Sequence, residues 1–136
     1  MLVELLTLQG SKFSGQAKQV QIHTPSGAMT ILPHHEPLTA LTVNGPIIIT
    51  DDKGEEQVYA SFGGLLEVEG NRIRLLSDEA EHSDELIESE IKESLALAEK
   101  LKNDAKDRKE LHHAQTLIDR HVVRLEVSKV RRRKHK

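Results

Sequence analysis

Cysteine is absent from the 136 residues, which excludes disulfides and thiolate-ligated metals and suits a reducing compartment. Tryptophan is absent as well, and Phe13, Tyr59 and Phe62 are the only Phe or Tyr residues. Any core must therefore be built from Leu, Ile and Val. No apolar run reaches the roughly 18 residues of a membrane-spanning helix, and no basic segment precedes an apolar one at the start. The expectation is a soluble chain that is not exported. Its length allows one domain with a core, or a small domain plus an appendage, but not two full domains.

Motifs for chemistry are missing too. Gly63-Gly64 lacks the spaced glycines and Lys-Ser/Thr of a phosphate loop, so it reads as a strand kink or a close backbone approach. Ser61 belongs to no Gly-x-Ser-x-Gly elbow. Adjacent residues of an extended segment point to opposite faces, so His34 and His35 cannot readily share a metal. His112 and His113 are neighbours about 100° apart on a helix, and His113 and His121 lie two turns apart without His-Glu-x-x-His spacing. The carboxylates of Asp78, Glu79, Glu81, Asp84 and Glu85 read as a solvated, dipole-matched helix start. No catalytic constellation, cofactor site or metal site is expected.

Charge is unevenly divided. Residues 1–84 hold 5 Lys/Arg against 12 Asp/Glu, a net of −7, whereas residues 85–136 hold 14 against 10, a net of +4. From Arg120 onward there are 8 basic residues and a single acid, Glu126. An acidic body with a basic end suggests a tail that seeks an acidic protein surface or phosphates. The acidic, aromatic-poor first half lacks the basic residues interleaved with aromatics that nucleic-acid readers carry.

Strand signals fill the first 77 residues. Residues 2–7 open the series, and Val20 and Ile22 alternate with Gln19, Gln21 and His23 in the period-2 pattern of a half-buried strand. Residues 46–50 and 57–62 flank a hairpin loop at 51–54, and Gly70-Asn71 joins 65–69 to 72–76. Many short strands without an intervening helix predict an antiparallel β-sandwich or flattened barrel over residues 1–82. Beyond Ser83, a plausible N-cap, Ile87, Ile91, Leu95, Ala98 and Leu101 recur at helical steps. A break at residues 103–107 precedes a second stripe of Leu111, Ala114, Ile118, Val122 and Leu125. Residues 83–136 thus read as a helical hairpin with a basic tail, marginal alone and a candidate for movement.

The run Thr24-Pro25-Ser26-Gly27-Ala28-Met29-Thr30-Ile31-Leu32-Pro33-His34-His35-Glu36-Pro37-Leu38 is pure architecture: a Gly turn, a short apolar strand, and a Pro-x-x-x-Pro bend that holds Leu32 and Glu36 extended. Read with Phe13-Ser14-Gly15, Phe62-Gly63-Gly64, Glu67-Val68, Asn71, Leu75-Leu76, Asp78 and Ala80, it closely resembles the epsilon subunit of F-type rotary ATP synthases. The resemblance covers roughly residues 2–80; the remainder is similar only in being a two-helix region. It implies a non-catalytic rotor component of the central stalk that couples ion flow to ATP synthesis. Its sandwich is expected to bind the gamma subunit and the c-ring. The C-terminal helices are expected to reach the alpha and beta subunits and to inhibit ATP hydrolysis.

On this resemblance, partner contacts are expected at Ala28, Met29, His35 and Glu36 in the sandwich and at Arg120, Arg124, Arg131, Arg132, Arg133 and Lys134 in the tail. Membrane association would be indirect and peripheral, at the cytoplasmic face of the cell membrane. This chain departs from the family pattern where Thr30, His34 and Glu36 stand at Gly, Gly and Ala positions, which is expected to change the loop's backbone angles. In place of the Ile/Leu-Asp-x-x-Arg-Ala run of ATP-binding members it has Ile87-Glu88-Ser89-Glu90-Ile91-Lys92, so ATP binding is expected to be weak or absent. The alternative reading is a free-standing sandwich adaptor whose basic tail binds nucleic acid or an acidic protein.

Overall fold

A computed structural model describes residues 1–134, with side chains through Val130. The chain divides into two compact units, Met1–His82 and Ser83–Lys136.

The first unit contains ten strands: β1 (Leu2–Thr7), β2 (Gly10–Gln16), β3 (Gln19–Thr24), β4 (Gly27–Ile31), β5 (Leu38–Thr42), β6 (Gly45–Thr50), β7 (Glu56–Ser61), β8 (Gly64–Glu69), β9 (Arg72–Ser77) and β10 (Ala80–His82). They form two five-stranded sheets, ordered β2-β1-β9-β8-β5 and β10-β7-β6-β3-β4. Alternating apolar residues from both sheets fill the space between them. Val3, Leu5, Val20, Ile22, Ile31, Ile49, Leu66, Ile73 and Leu75 are buried there, each stabilising by about 1.5–3 kcal/mol relative to exposure. Tyr59 joins this core because its hydroxyl donates to the Lys12 carbonyl at 3.1 Å, so the ring is buried without an orphaned polar tip.

One pairing departs from an all-antiparallel sandwich: β1 runs parallel to β9. A parallel neighbour needs a long connection, and the whole body of the sandwich separates these two strands in sequence. The two-residue turn at Gly70 and Asn71 has φ of 58° and 57°, the left-handed pair that a tight hairpin requires. At the loop after β6, the Asp51 carboxylate accepts the backbone N–H groups of Lys53 and Glu55, both at 2.9 Å.

The Phe62-Gly63-Gly64 run meets the start of β10 in a tight node. Gly64 has φ of 144°, and a Cβ there would overlap the Leu76 carbonyl, so the close backbone approach read from the sequence is real. Ser61 and Ser77 share a 2.8 Å hydroxyl hydrogen bond, Ser77 donates to the Glu79 carbonyl at 2.7 Å, and the Phe62 N–H reaches the same carbonyl at 3.0 Å. The family markers from Phe62 to Ala80 are thus a structural knot.

In the second unit a 3-10 turn, Ser83–Glu85, precedes α1 (Glu88–Asn103) and α2 (Arg108–Lys134). Ser83 is not the N-cap of α1. Its carbonyl accepts the Leu86 N–H at 3.1 Å and closes the 3-10 turn, Ile87 is extended, and α1 starts without a side-chain cap. The break falls where expected, and α2 is capped at both hydrogen-bonding positions of its start. Asp107 accepts the Glu110 N–H and Glu110 accepts the Lys106 N–H, both at 2.8 Å, a variant of the capping box.

The apolar stripes differ from expectation. Ile91, Ala98 and Ala114 are buried, but Ile87, Leu101, Leu111 and Val122 are exposed, while Val123 and Val127 are buried instead. At 1.5 Å per residue, α1 spans about 24 Å and α2 about 40 Å. Val123 and Val127 stand about half a turn round α2 from Ala114, so α2 buries residues on two faces rather than along one stripe.

Candidate partner-binding surfaces

Ala28 and Met29 sit on β4, an edge strand. Ala28 is exposed, whereas Met29 packs partly against the core, as alternation along a strand demands. His35 and Glu36 are exposed in the loop that follows. That loop is tied to the β8–β9 turn by the Asn71 side chain, which accepts the His34 N–H at 2.9 Å. His34 has φ of 67°. Only one of the two lost glycines therefore matters for backbone angles: Thr30 lies within β4 opposite Gln21, while His34 occupies the left-handed conformation that glycine would adopt freely.

Arg120 and Arg124 lie one turn apart on α2, both half-buried. Arg124 Nη1 is 3.3 Å from His121 Nδ1. These two side chains, with Glu85 and Glu90, rim a shallow pocket floored by Ile91 and Leu86. Lys92, the cation nearest to the departed ATP motif, pairs with Glu88 at 3.1 Å. The backbone of Arg131, Arg132, Arg133 and Lys134 continues α2, and their side chains lie outside the described residues.

A third surface was not anticipated. Leu6 pairs with Leu76, Leu76 with Leu65, and Leu65 with Leu41. Val3, Leu5, Leu66, Ile73 and Leu75 face the core, so these four leucines project from the opposite, outer face of four consecutive strands. Leu41 is 65% exposed and Leu76 37%. The next row on the same face is charged, with Glu4 opposite Arg74 and Arg74 opposite Glu67. Arg74 Nε is enclosed there without a hydrogen-bond partner. The sequence carried a signal for this face in the doublets Leu5-Leu6, Leu65-Leu66 and Leu75-Leu76. In a strand, a doublet places one leucine on each side of the sheet.

An apolar row beside a charged one on the outer face of a sandwich is the kind of surface by which proteins that work in assemblies meet their partners. Residues 1–83 match the family described as ATP synthase, Delta/Epsilon chain, beta-sandwich domain. The chain is 32% identical over 130 residues to the ATP synthase epsilon chain of Herpetosiphon aurantiacus, covering 96% of this chain and 95% of that relative. Over 89 residues it is 40% identical to the epsilon chain of Dichelobacter nodosus, covering 65% of this chain and 62% of the relative. Its fold is similar to a chain in the mitochondrial ATP synthase structure of Euglena gracilis, with a TM-score of 0.80 at 16% identity over 88% of this chain and 75% of that one. A chain in the central stalk and c-ring structure of the Tetrahymena thermophila mitochondrial enzyme superimposes with a TM-score of 0.63 at 12% identity, covering 94% of this chain and 96% of that one.

The chain belongs to the ATP synthase delta/epsilon family, as an epsilon-type, non-catalytic component of the central stalk. Family membership displaces the free-standing adaptor with a nucleic-acid-binding tail. Among the described residues, no helix is long and apolar enough to cross a membrane.

Proposed function

We propose that the sandwich seats this subunit on the gamma subunit through the outer leucine row, and on the c-ring through Ala28, Met29, His35 and Glu36. The helical unit reaches the alpha and beta subunits through Arg120, Arg124 and the cluster Arg131, Arg132, Arg133 and Lys134, and restrains ATP hydrolysis. The complex then holds the protein at the cytoplasmic face of the cell membrane.

The observation that carries the reading is the register Leu6–Leu76–Leu65–Leu41. A contiguous apolar row on the solvent face of a sheet is unfavourable in water and is relieved by a partner that covers it. The charged row beside it supplies specificity and orientation rather than most of the affinity. Co-expression with gamma tests this. The wild-type chain is expected to co-purify at stoichiometric amount, and Leu41→Ser with Leu76→Ser to lower recovery at least tenfold while the isolated chain still unfolds cooperatively. Failure of the wild-type chain to retain gamma would overturn the proposal.

A further inference from the structure

The outer leucine row ends in a cavity. Leu6 and Leu76, the first two members of the row, line a hollow of about 280 Å³ together with Thr7, Leu8, Ser77 and Asp78. Leu8 is 94% exposed, yet it does not ride on a loose loop. The Thr7 hydroxyl donates to the Gly10 carbonyl at 3.2 Å and accepts the Gln9 N–H at 3.1 Å, which braces the turn between β1 and β2. A leucine held in water on a braced turn loses little further freedom when a partner covers it.

Asp78 gives the cavity its charge. The acids of the neighbouring charged row already have a cation at hand, since Glu4 and Glu67 both stand opposite Arg74, and Asp51 accepts two backbone N–H groups. The Asp78 carboxylate takes part in no hydrogen bond or ion pair among the described residues. Its Oδ2 lies 3.8 Å from the point that a Cβ would occupy on Gly63, and the Asn44 Oδ1 lies 3.9 Å from the same point. Because position 63 has no side chain, two oxygen acceptors border open space beside an apolar wall.

We propose that this cavity receives a lysine side chain of the subunit that covers the leucine row, with the stem along Leu8 and Leu76 and the ammonium at Asp78 and Asn44. That subunit is gamma on the reading above, and the inference rests on that reading for the identity of the partner. A long apolar stem that ends in a positive charge complements an apolar hollow with an acidic rim. Lysine suits the site better than arginine, because its three donors rotate to meet oxygens of two separate side chains, whereas the planar guanidinium fork matches a single carboxylate. A metal ion is disfavoured, since among the described residues no three His, Cys, Asp or Glu side chains gather as ligands. A second copy is disfavoured as well. Residues 1–84 hold 5 Lys/Arg against 12 Asp/Glu, and a twofold contact at this cavity would set Asp78 near its own mate.

A water-soluble carbodiimide, which condenses a carboxylate and an adjacent amine into an amide with loss of water, reads the contact directly. Treatment of the complex of the full chain with gamma is expected to join Asp78 to one lysine of gamma, a bond located by mass spectrometry and absent from Asp78→Asn. Asp78→Asn is expected to lower recovery of gamma about tenfold at low ionic strength and less as salt rises. Asp52→Asn, which removes an equal charge in the loop after β6, is expected to leave recovery unchanged. Leu8→Ser is expected to lower recovery at every salt concentration, because apolar contact is not screened. All three side chains are exposed, so the isolated variants are expected to unfold as the wild-type chain does. Retention of gamma by the wild-type chain with no loss in Asp78→Asn overturns the lysine site and leaves the leucine row standing. Loss in Asp78→Asn without a carbodiimide bond also overturns it, because the occupant is then an arginine, and a bond to a lysine of this chain's own α2 overturns it in favour of an internal contact. In the whole ATP synthase, a bond from Asp78 to a lysine of a different subunit would instead sink the gamma assignment and keep the cavity as a lysine site.

Discussion

The side-chain oxygen of Asn71, itself in the left-handed turn between β8 and β9, accepts the backbone N–H of His34 at 2.9 Å. One residue thus shapes a hairpin and ties down the Pro33–Pro37 bend 37 positions away in sequence. Glycine at 71 would keep the backbone angle and lose the tie. Because the bond is exposed, Asn71→Gly is expected to destabilise the chain by about 0.5–1.5 kcal/mol. Asn71→Ala adds a left-handed penalty of about 1 kcal/mol. His34→Gly relieves such a penalty but gains unfolded-state entropy, and is expected to be near neutral. Urea midpoints at constant m-value read all three.

Gly64 has no equivalent freedom. Its φ of 144° and the Leu76 carbonyl beside it both oppose a side chain, so Gly64→Ala is expected to destabilise by about 2–4 kcal/mol. Gly27, with φ of 117° but open space around it, is the control: Gly27→Ala is expected to show the backbone penalty alone, about 1–2 kcal/mol. Equal effects at the two positions, measured by thermal unfolding, would show that the close approach contributes nothing.

What could be read before the structure was known follows from where burial is one-sided. Val20 and Ile22 alternate with polar residues, and β3 lies where the alternation put it. β2 escaped because Phe13 is its one large apolar residue in a run of Gly, Ser, Lys and Gln; pairing with β1 makes it a strand. β10 is too short to show a period. The leucine row was hidden by the same rule that reveals strands, since Leu66 and Leu75 account for the core and Leu65 and Leu76 then look redundant. Helical phase failed at Val122 because α2 buries Val123 and Val127 about half a turn round the helix from Ala114, a second buried face that a single stripe cannot show.

The start of α2 offers a local test of the helical unit. Asp107→Ala removes the acceptor of the Glu110 N–H, and losing an N-cap costs about 0.5–2 kcal/mol. Asp107→Ser, which retains a capping oxygen, is expected to recover most of the loss. Helix content followed by far-ultraviolet circular dichroism through a thermal ramp reads both variants. Identical melting of the alanine and serine variants would mean that tertiary packing, not the cap, fixes where α2 begins.

A fragment of residues 1–82 is expected to fold and to bind gamma. All of the inter-sheet core lies within Met1–His82, and the proposed leucine row is complete in it. Each sheet keeps its five strands, so no backbone ladder is cut by the truncation. A non-cooperative denaturant transition would show that the sandwich depends on residues beyond 82. A cooperative transition without gamma binding would move the docking surface away from the leucine row.

The basic end tests how the helical unit acts. Arg120 and Arg124 share a face of α2 and are half-buried, whereas Arg131, Arg132, Arg133 and Lys134 extend the positive charge toward the end of the chain. Exposed ion pairs contribute roughly 0.2–1 kcal/mol each, so four together supply enough to bias two arrangements of the helices while no single one dominates. Such a bias weakens as salt shortens the Debye length from about 10 Å at 0.1 M toward 3 Å at 1 M. Replacing all four with alanine is therefore expected to raise ATP hydrolysis by the assembled enzyme at low ionic strength, to lose that effect at high ionic strength, and to leave assembly intact. Deleting residues 83–136 supplies the reference. If deletion activates hydrolysis and the four alanines do not, inhibition comes from the packing of the helices against the neighbouring subunits, and the terminal charge only keeps α2 solvated.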